Sequence, residues 1–327
     1  MKKILDKLIN QQTLNKEQAR AIMLRIANEE FSDAEIAAFL TTYLMRPIAV
    51  EELTGFRDAL LELAIKIDFG DIEAIDLCGT GGDGKDTFNI STLSAVVVAG
   101  AGYNVVKHGN YGVSSVSGSS NVLEHLGYKF TNDQDILKRQ LENNNLCFLH
   151  APLFHPAMKA VGPTRRNLKV KTFFNLLGPL VNPASPSHQV VGVYDLHVAR
   201  LYQYFLQQLD RSYLVVHGLD GYDEVSLTGP TKVIGRDRED ILNPDEFGLI
   251  KYDQDLLYGG GSIPQAADIF MAVLQLKGTE AQENVVLANA GLAIQCLRPE
   301  RALTACVDEA REALHSGAAL KTLKAII

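Results

Sequence analysis

The sequence lacks any pair of cysteines close enough to act together. Its four, Cys78, Cys147, Cys296 and Cys306, are scattered with no C-x-x-C spacing, which argues against a disulfide framework or structural zinc and for reduced thiols in a cytoplasm. It also lacks an excess of positive charge, since 31 Lys and Arg stand against 39 Asp and Glu for a formal net charge of −8. General attraction to nucleic acid or to an anionic membrane face is therefore not expected, and any anion site must be built locally. The apolar run beside the glycine-rich stretch, Leu93 to Gly102, is too short to span a bilayer. The opening MKKILDKLINQQ has lysines but neither an apolar core nor a small-residue cleavage site, so it reads as a helix and not as a signal. Internal repeats and low-complexity segments are missing as well.

What is present is ordinary globular composition, 46% hydrophobic and 21% charged. A chain of 327 residues exceeds one usual domain, which favours two domains or one large domain with a helical appendage. Residues 1–66 carry helical patterns. Ser32 with Glu35 forms a capping box ahead of Ile36, Phe39, Leu40, Tyr43 and Leu44 at helical spacing, with Pro47 as the stop. A preceding helix begins near Asn15 with Ile22 and Ile26 inward, and a following one carries Leu53, Phe56, Leu60 and Leu63. Helices without strands imply a helical lobe, suited to one wall of a cleft or to dimerisation.

From Asp71 the pattern becomes strands alternating with helices. Strands are expected at 72–77, 103–106, 146–149, 190–193, 213–216 and 232–234, and helices start near Thr92, Ser119, Asp133, Leu196 and Pro264, with two more after Glu280 and Pro299. The fold class is α/β: a small N-terminal all-helical lobe plus a large lobe with a central, mainly parallel sheet flanked by helices. The expected domains are 1–68, joined in space by about 156–185, and 69–327. The proline-rich return at 150–185 is expected to bring charged residues over the cleft.

The chain is organised around DLCGTGGDGKDTFNIST at 76–92. An apolar strand enters four glycines, Gly79, Gly81, Gly82 and Gly84, and Asn89, Ser91 and Thr92 are good N-caps for the apolar helix that follows. A strand, glycine loop and helix start present several backbone N–H groups at the positive end of a helix, which can hold phosphate without basic side chains. The plainer reading is a tight turn that needs positive φ. The loop superficially fits G-x-G-x-x-G and all of G-x-x-x-x-G-K-[ST] but its last position. However, the next strand ends in Lys107 instead of an acid, and Asp86 stands where magnesium needs a hydroxyl.

Lys107, His108, Gly109 and Asn110 follow the second strand and lead into YGVSSVSGSS at 111–120, a second anion loop rich in hydroxyls and amides. Two such loops suggest a ligand with more than one phosphate. Asp223 and Glu224 follow the strand at 213–216. Adjacent carboxylates near anion loops suit magnesium, which takes one or two carboxylates plus substrate oxygens, although a lone DE pair is usually a solvated turn. Arg165 and Arg166, with Lys169 and Lys171, could dock a substrate carboxylate, against the plain alternative of a solvated helix face. His108 and His155 are possible acid/base groups, and Cys78 reads as buried filler.

GTGGDGKDTFNIST at 79–92, KHGN at 107–110 with SSVSGS at 114–119, HPAMK at 155–159, FNLLGPLVNP at 174–183 and DE at 223–224 together resemble the anthranilate phosphoribosyltransferase family, whose lobes are like those of nucleoside phosphorylases. The resemblance implies transfer of the 5-phosphoribosyl group of phosphoribosyl pyrophosphate to the amine of anthranilate with magnesium, in tryptophan biosynthesis, by a cytoplasmic homodimer formed through the helical lobe. It places Gly79, Gly82, Asp83, Thr87, Asn89, Ile90, Ser91 and Thr92 of the first loop on phosphoribosyl pyrophosphate. Lys107, His108, Gly109, Asn110, Ser114, Ser115 and Ser119 of the second loop join them. Ser91, Asp223 and Glu224 would serve the metal, Lys107 would act with that acid pair in catalysis, and Gly79, Asn110 and Arg165 would meet anthranilate. The chain departs from the family at Tyr111 and Lys171, where many members carry Arg, and at Val116, often Lys. Two other readings are a pyrimidine nucleoside phosphorylase and a non-catalytic relative that binds nucleic acid.

Overall fold

The structure, a computed structural model, describes residues 1–112 and 117–327. Ser114, Ser115 and Val116 lie outside the described residues. The chain divides into two compact units, Met1–Ile67 with Ala151–Ser185, and Asp68–His150 with Pro186–Ile327.

The first unit is helical. Capping boxes open the helices Lys16–Ala27, at Asn15 with Gln18, and Asp33–Thr42, at Ser32 with Glu35. Ile22, Ile26, Ile36, Phe39 and Leu40 are buried as their spacing demands. Leu44 is not: the helix ends at Thr42, ahead of Pro47, and Leu44 is 45% exposed. Leu63 likewise falls beyond the next helix, Val50–Glu62, as its half-buried C-cap. Phe39, Tyr43, Phe56 and Phe173 form an aromatic cluster, with Phe56 and Phe173 stacked at 4.7 Å. Thr164 donates to Asp33 at 3.1 Å and Ile65 N–H to Phe154 C=O at 2.8 Å, so the 151–185 segment is fastened to the helices on both hydrogen bonds and aromatic packing. Beneath the cluster the fully buried Glu52 pairs with Arg46 and accepts from Leu14 N–H, Tyr43 OH and Ala49 N–H. A buried carboxylate is tolerated because every lone pair is used.

The second unit holds a seven-stranded sheet. Its strands are β1 (Ile75–Leu77), β2 (Val105–Gly109), β3 (Leu146–His150), β4 (His188–Gly192), β5 (Ser212–Gly218), β6 (Thr231–Ile234) and β7 (Glu239–Leu242), in spatial order β3-β2-β1-β4-β5-β6-β7. The first five are parallel, while β6 and β7 add antiparallel at one edge. The lobe has the mainly parallel sheet and flanking helices that the sequence pattern implies. The β7 edge strand was missed because its charged alternation, EDIL, carries little apolar signal.

Chain order fixes where a ligand belongs. From β1 the chain moves outward to β2 and β3, then returns past β1 to β4 on its other side, so β1 and β4 flank the point where strand order reverses. The crevice beyond the carboxyl ends of those strands is the ligand position in such sheets. Behind it run the buried helices Ile90–Gly100 and Glu280–Leu297, joined where Ser94 Oγ donates to Val286 C=O at 3.2 Å.

Candidate active site

The glycine loop leaves β1 at the reversal point. Gly81, Gly82 and Gly84 take φ of +63°, +82° and +72°, the left-handed region that side chains resist, so this turn needs glycine. Asp83 Oδ1 accepts the Lys85 N–H at 3.1 Å, and the Lys85 ammonium lies 4.6 Å from the Tyr222 ring centre. Asn89 is the N-cap of Ile90–Gly100, yet its side chain does not cap. Its Nδ2 instead donates to Ser117 C=O at 3.2 Å, tying the first loop to the second. Thr87 stands on the bridge to Tyr258, and Ile90 and Thr92 are buried in the first helical turn.

The second stretch differs from its expected placement. Lys107, His108 and Gly109 do not follow β2 but belong to it, pairing with Phe148, Leu149 and His150 of β3. The strand continues because β2 lies inside the sheet, paired with β1 and β3, and Lys107 is only 3% exposed. Its Nζ donates to Leu77 C=O and lies 3.3 Å from Ser91 Oγ, so a buried cation stands between β1 and the helix Ile90–Gly100. Ser119 Oγ donates to Asn110 C=O at 3.3 Å, and Ser120 Oγ meets His150 Nδ1 at 2.9 Å. Tyr111 gives its OH to Glu124 at 3.3 Å and packs edge-on against His150 at 4.7 Å. His108 is buried, with its backbone N–H on Asp76 Oδ1 at 3.1 Å.

After β5, Asp223 and Glu224 come to the same crevice. Leu77 at the end of β1 with Cys78 and Gly79 after it, Ser91 of the helix Ile90–Gly100, Val190 and Gly192 of β4, Val216 of β5 and the two acids line one cleft with Asn289. Asp223 Oδ2 accepts the Gly81 N–H at 2.8 Å. Burial, and then the Asp83 charge, hold the Asp223 carboxyl well above the usual range; burial and Asp223 do the same to Glu224, with Lys107 opposing. Two acids whose ionised forms are disfavoured by their surroundings are suited to a hard divalent cation, which removes that penalty. Among the described residues no group of three or more His, Cys, Asp or Glu is arranged to hold a metal. Two adjacent carboxylates fit an ion such as magnesium, which would draw its remaining ligands from substrate oxygens. Burial pushes the Cys78 thiol up to about 12, with Asp76 adding to it, so the thiolate is not available as a nucleophile.

Arg165 belongs to the helical unit, on the short helix Gly162–Leu168. Its guanidinium lies 5.1 Å from the Phe174 ring centre and donates to Asn175 Oδ1 at 3.5 Å. His155 is structural there: buried, with Nε2 on Val181 C=O at 2.9 Å and its protonation disfavoured by burial. Lys171 is exposed in the same unit.

Two elements escaped the sequence reading. Gly259 N–H donates to Asp86 C=O at 2.9 Å and Phe88 N–H to Leu257 C=O at 3.1 Å, so the 257–259 strip braces the far end of the first loop. The run Gly259, Gly260, Gly261 ahead of the Ser262-capped helix was its signal. The other is Asn289, an amide inside the apolar run VVLANAGLAI.

The chain matches the family described as glycosyl transferase family, a/b domain, over residues 71–320, and the helical bundle domain of that family over 2–64. It is 54% identical to the anthranilate phosphoribosyltransferase of Christiangramia forsetii over 99% of this chain and 98% of that one. The crystal structure of the Thermus thermophilus anthranilate phosphoribosyltransferase superposes with a TM-score of 0.91 at 33% identity, covering 98% of this chain and 97% of the other. That of Saccharomyces cerevisiae, in complex with PRPP and Mg, gives 0.92 at 27% identity, covering 99% and 95%. With that identity sustained along its whole length, and the glycine loop and acid pair meeting at the sheet's reversal point, the chain belongs to the anthranilate phosphoribosyltransferase family.

Proposed function

We propose that this protein transfers the 5-phosphoribosyl group of phosphoribosyl pyrophosphate to the amine of anthranilate, releasing pyrophosphate, as a step of tryptophan biosynthesis. The observation that carries the reading is the convergence of the positive-φ glycine loop and the Asp223–Glu224 pair on one cleft. Neither a nucleoside phosphorylase nor a nucleic-acid-binding relative is needed to account for a chain of this family.

Phosphoribosyl pyrophosphate is assigned to the glycine-loop amides with Gly79, Asp83, Asn89 and Ser91, and to the second loop through Lys107, Asn110 and Ser119. Ser114 and Ser115 remain assigned there on the resemblance. Asp223, Glu224 and Ser91 would hold Mg²⁺, which when bound draws negative charge from the pyrophosphate leaving group. Lys107, held by Leu77 C=O beside Ser91, adds fixed positive charge where that group departs. The anthranilate amine is a neutral nucleophile that needs placement more than deprotonation. Arg165 would bind its carboxylate, since a guanidinium matches carboxylate oxygens in two parallel hydrogen bonds; Asn175 and Phe174 hold that guanidinium from behind.

The direct test is loss of anthranilate fluorescence on mixing protein, phosphoribosyl pyrophosphate and magnesium, with and without EDTA. A loss that EDTA abolishes is expected; persistence of the signal in complete mixtures overturns the reading. Arg165→Ala should raise the KM for anthranilate about 10–100-fold with a smaller change in kcat, and an unchanged KM would move the carboxylate site elsewhere. We also assign a cytoplasmic setting, in keeping with four unpaired cysteines; among the described residues no helix is long and apolar enough to cross a membrane. A homodimer through the helical unit is in keeping with Leu44 and Met45 there, 45% and 76% exposed. Sedimentation at micromolar concentration reads it directly.

A further inference from the structure

Asn289 lies near the middle of the buried helix Glu280–Leu297, where its neighbours are apolar, and is 6% exposed. An amide is a poor choice for such a place unless all its polar atoms are bonded. Here they are. Oδ1 accepts the Val225 N–H at 3.0 Å, and Nδ2 donates to Val225 C=O and to Val285 C=O, each at 2.8 Å. The side chain thus grips both polar groups of one residue as a neighbouring strand would, while its third bond ties it to its own helix one turn back. The residue it grips directly follows Glu224.

The surrounding loop is fastened at its ends. Gly218 N–H donates to Tyr222 C=O and Leu219 N–H to Pro230 C=O, both at 2.9 Å, closing its base. Thr228 Oγ1 donates to Asp220, and Ser226 and Thr228 share a bond of 2.8 Å. Leu227 sits at φ +57°, a conformation that a leucine keeps only where its surroundings over-determine it. These bonds close the loop on itself, whereas Asn289 ties its middle, beside the two acids, to a rigid helix behind the cleft.

We infer that Asn289 is a positioning residue for the reaction, setting the backbone that presents the Asp223 and Glu224 carboxylates. The inference rests on the function proposed above for that acid pair. Asn289 touches no reacting atom in this account; it acts through Val225. Its loss lets the carboxylates wander, so that the metal requirement rises and turnover falls, while phosphoribosyl pyrophosphate still finds the glycine loop.

The test compares the wild-type protein with Asn289→Ala and with Asn289→Leu, which keeps the volume but none of the bonds and so separates lost bonding from a cavity. Three readouts are needed: kcat with KM for phosphoribosyl pyrophosphate, the magnesium concentration giving half the maximal rate, and amide hydrogen exchange across residues 219–229 without substrate or metal. Expected are a fall in kcat of about 10–100-fold, a several-fold higher magnesium requirement, little change in that KM, and exchange at 223–226 faster by about tenfold or more, with strand β3 unaffected. Exchange at 223–226 like that of wild type overturns the inference even if activity falls, because Asn289 would then act on the substrate instead of the loop. Wild-type kcat and magnesium requirement in either folded variant overturn it too. If the wild-type protein itself shows no magnesium-dependent transfer, the proposed function fails and the positioning role fails with it, whereas loss in the variants alone leaves that function standing.

Discussion

Asp223→Asn is expected to lower kcat by about 10²–10³-fold and, at the same time, to make the ligand-free protein more stable at pH 8. Both effects come from one arrangement. Burial and the Asp83 charge raise the Asp223 carboxyl pKa in the folded state from its ordinary 3.8 to about 7. A carboxyl raised on folding contributes stability that is fully present below its unfolded pKa and is lost as pH climbs through the folded value. At pH 8 the ligand-free protein therefore carries an ionised, 8% exposed carboxylate beside Glu224 at a cost on the order of 1–3 kcal/mol. Asparagine keeps an oxygen for the Gly81 N–H and removes the charge, so the melting temperature should rise by a few degrees at pH 8 and by nothing near pH 4. Glu224 loses a repelling neighbour, which adds to the gain. Without the charge, the cation proposed to offset the leaving group would be held by one carboxylate fewer, and turnover is expected to fall for that reason. Melting curves of both proteins across pH 4–8, beside kcat at saturating magnesium, check the pair of effects. Near wild-type turnover would remove Asp223 from the metal site, and a lower melting temperature at pH 8 would mean that the acid pair is compensated within the protein.

That opposition between stability and chemistry also explains what the sequence could reveal. The glycine loop was legible because positive φ at Gly81, Gly82 and Gly84 leaves a compositional mark, and the parallel strands because burial on both faces makes them plain apolar runs. The acid pair could be suspected only from its company, since DE after a strand is usually solvated. Lys107 was placed one element too late: a charged residue ends an apolar pattern on paper, but its ammonium turns to Leu77 C=O while the backbone pairs on through Gly109. Leu44 went the other way, read as core from its spacing although the helix had ended two residues earlier. The roles of Asn289 and of the 257–259 brace escaped for a shared reason, although the glycine run 259–261 marks a special backbone there. Their roles lie in contacts across 64 and about 170 residues of chain, which no local pattern encodes.

The second large effect is expected at the two glycines that crowd Asp223, one against its side chain and the other against its backbone, and the contrast between them is what makes it informative. A Cβ on Gly192, at the end of β4, would overlap the Asp223 backbone carbonyl oxygen. Neither partner can turn aside, because Gly192 is paired with Val216 in the sheet and its own carbonyl accepts the Thr80 N–H at 2.9 Å. Gly192→Ala must therefore push the whole acid-bearing segment outward, with a loss of stability of about 1–3 kcal/mol or more and a loss of activity comparable to removing Asp223. A Cβ on Gly79 would instead meet the Asp223 carboxylate, 2.7 Å from Oδ2. That is the end of a side chain that can rotate, so Gly79→Ala should leave the melting temperature within a few degrees of wild type. Rotation, though, takes the carboxylate away from the Gly81 N–H and from the place where the metal is proposed to sit, and kcat should fall about 10²-fold. Measured together, the two variants separate backbone placement from carboxylate aim. A Gly79→Ala protein with wild-type turnover would show that the aim of Asp223 does not matter, and a Gly192→Ala protein of wild-type stability would show that the β4 and β5 ends are free to part.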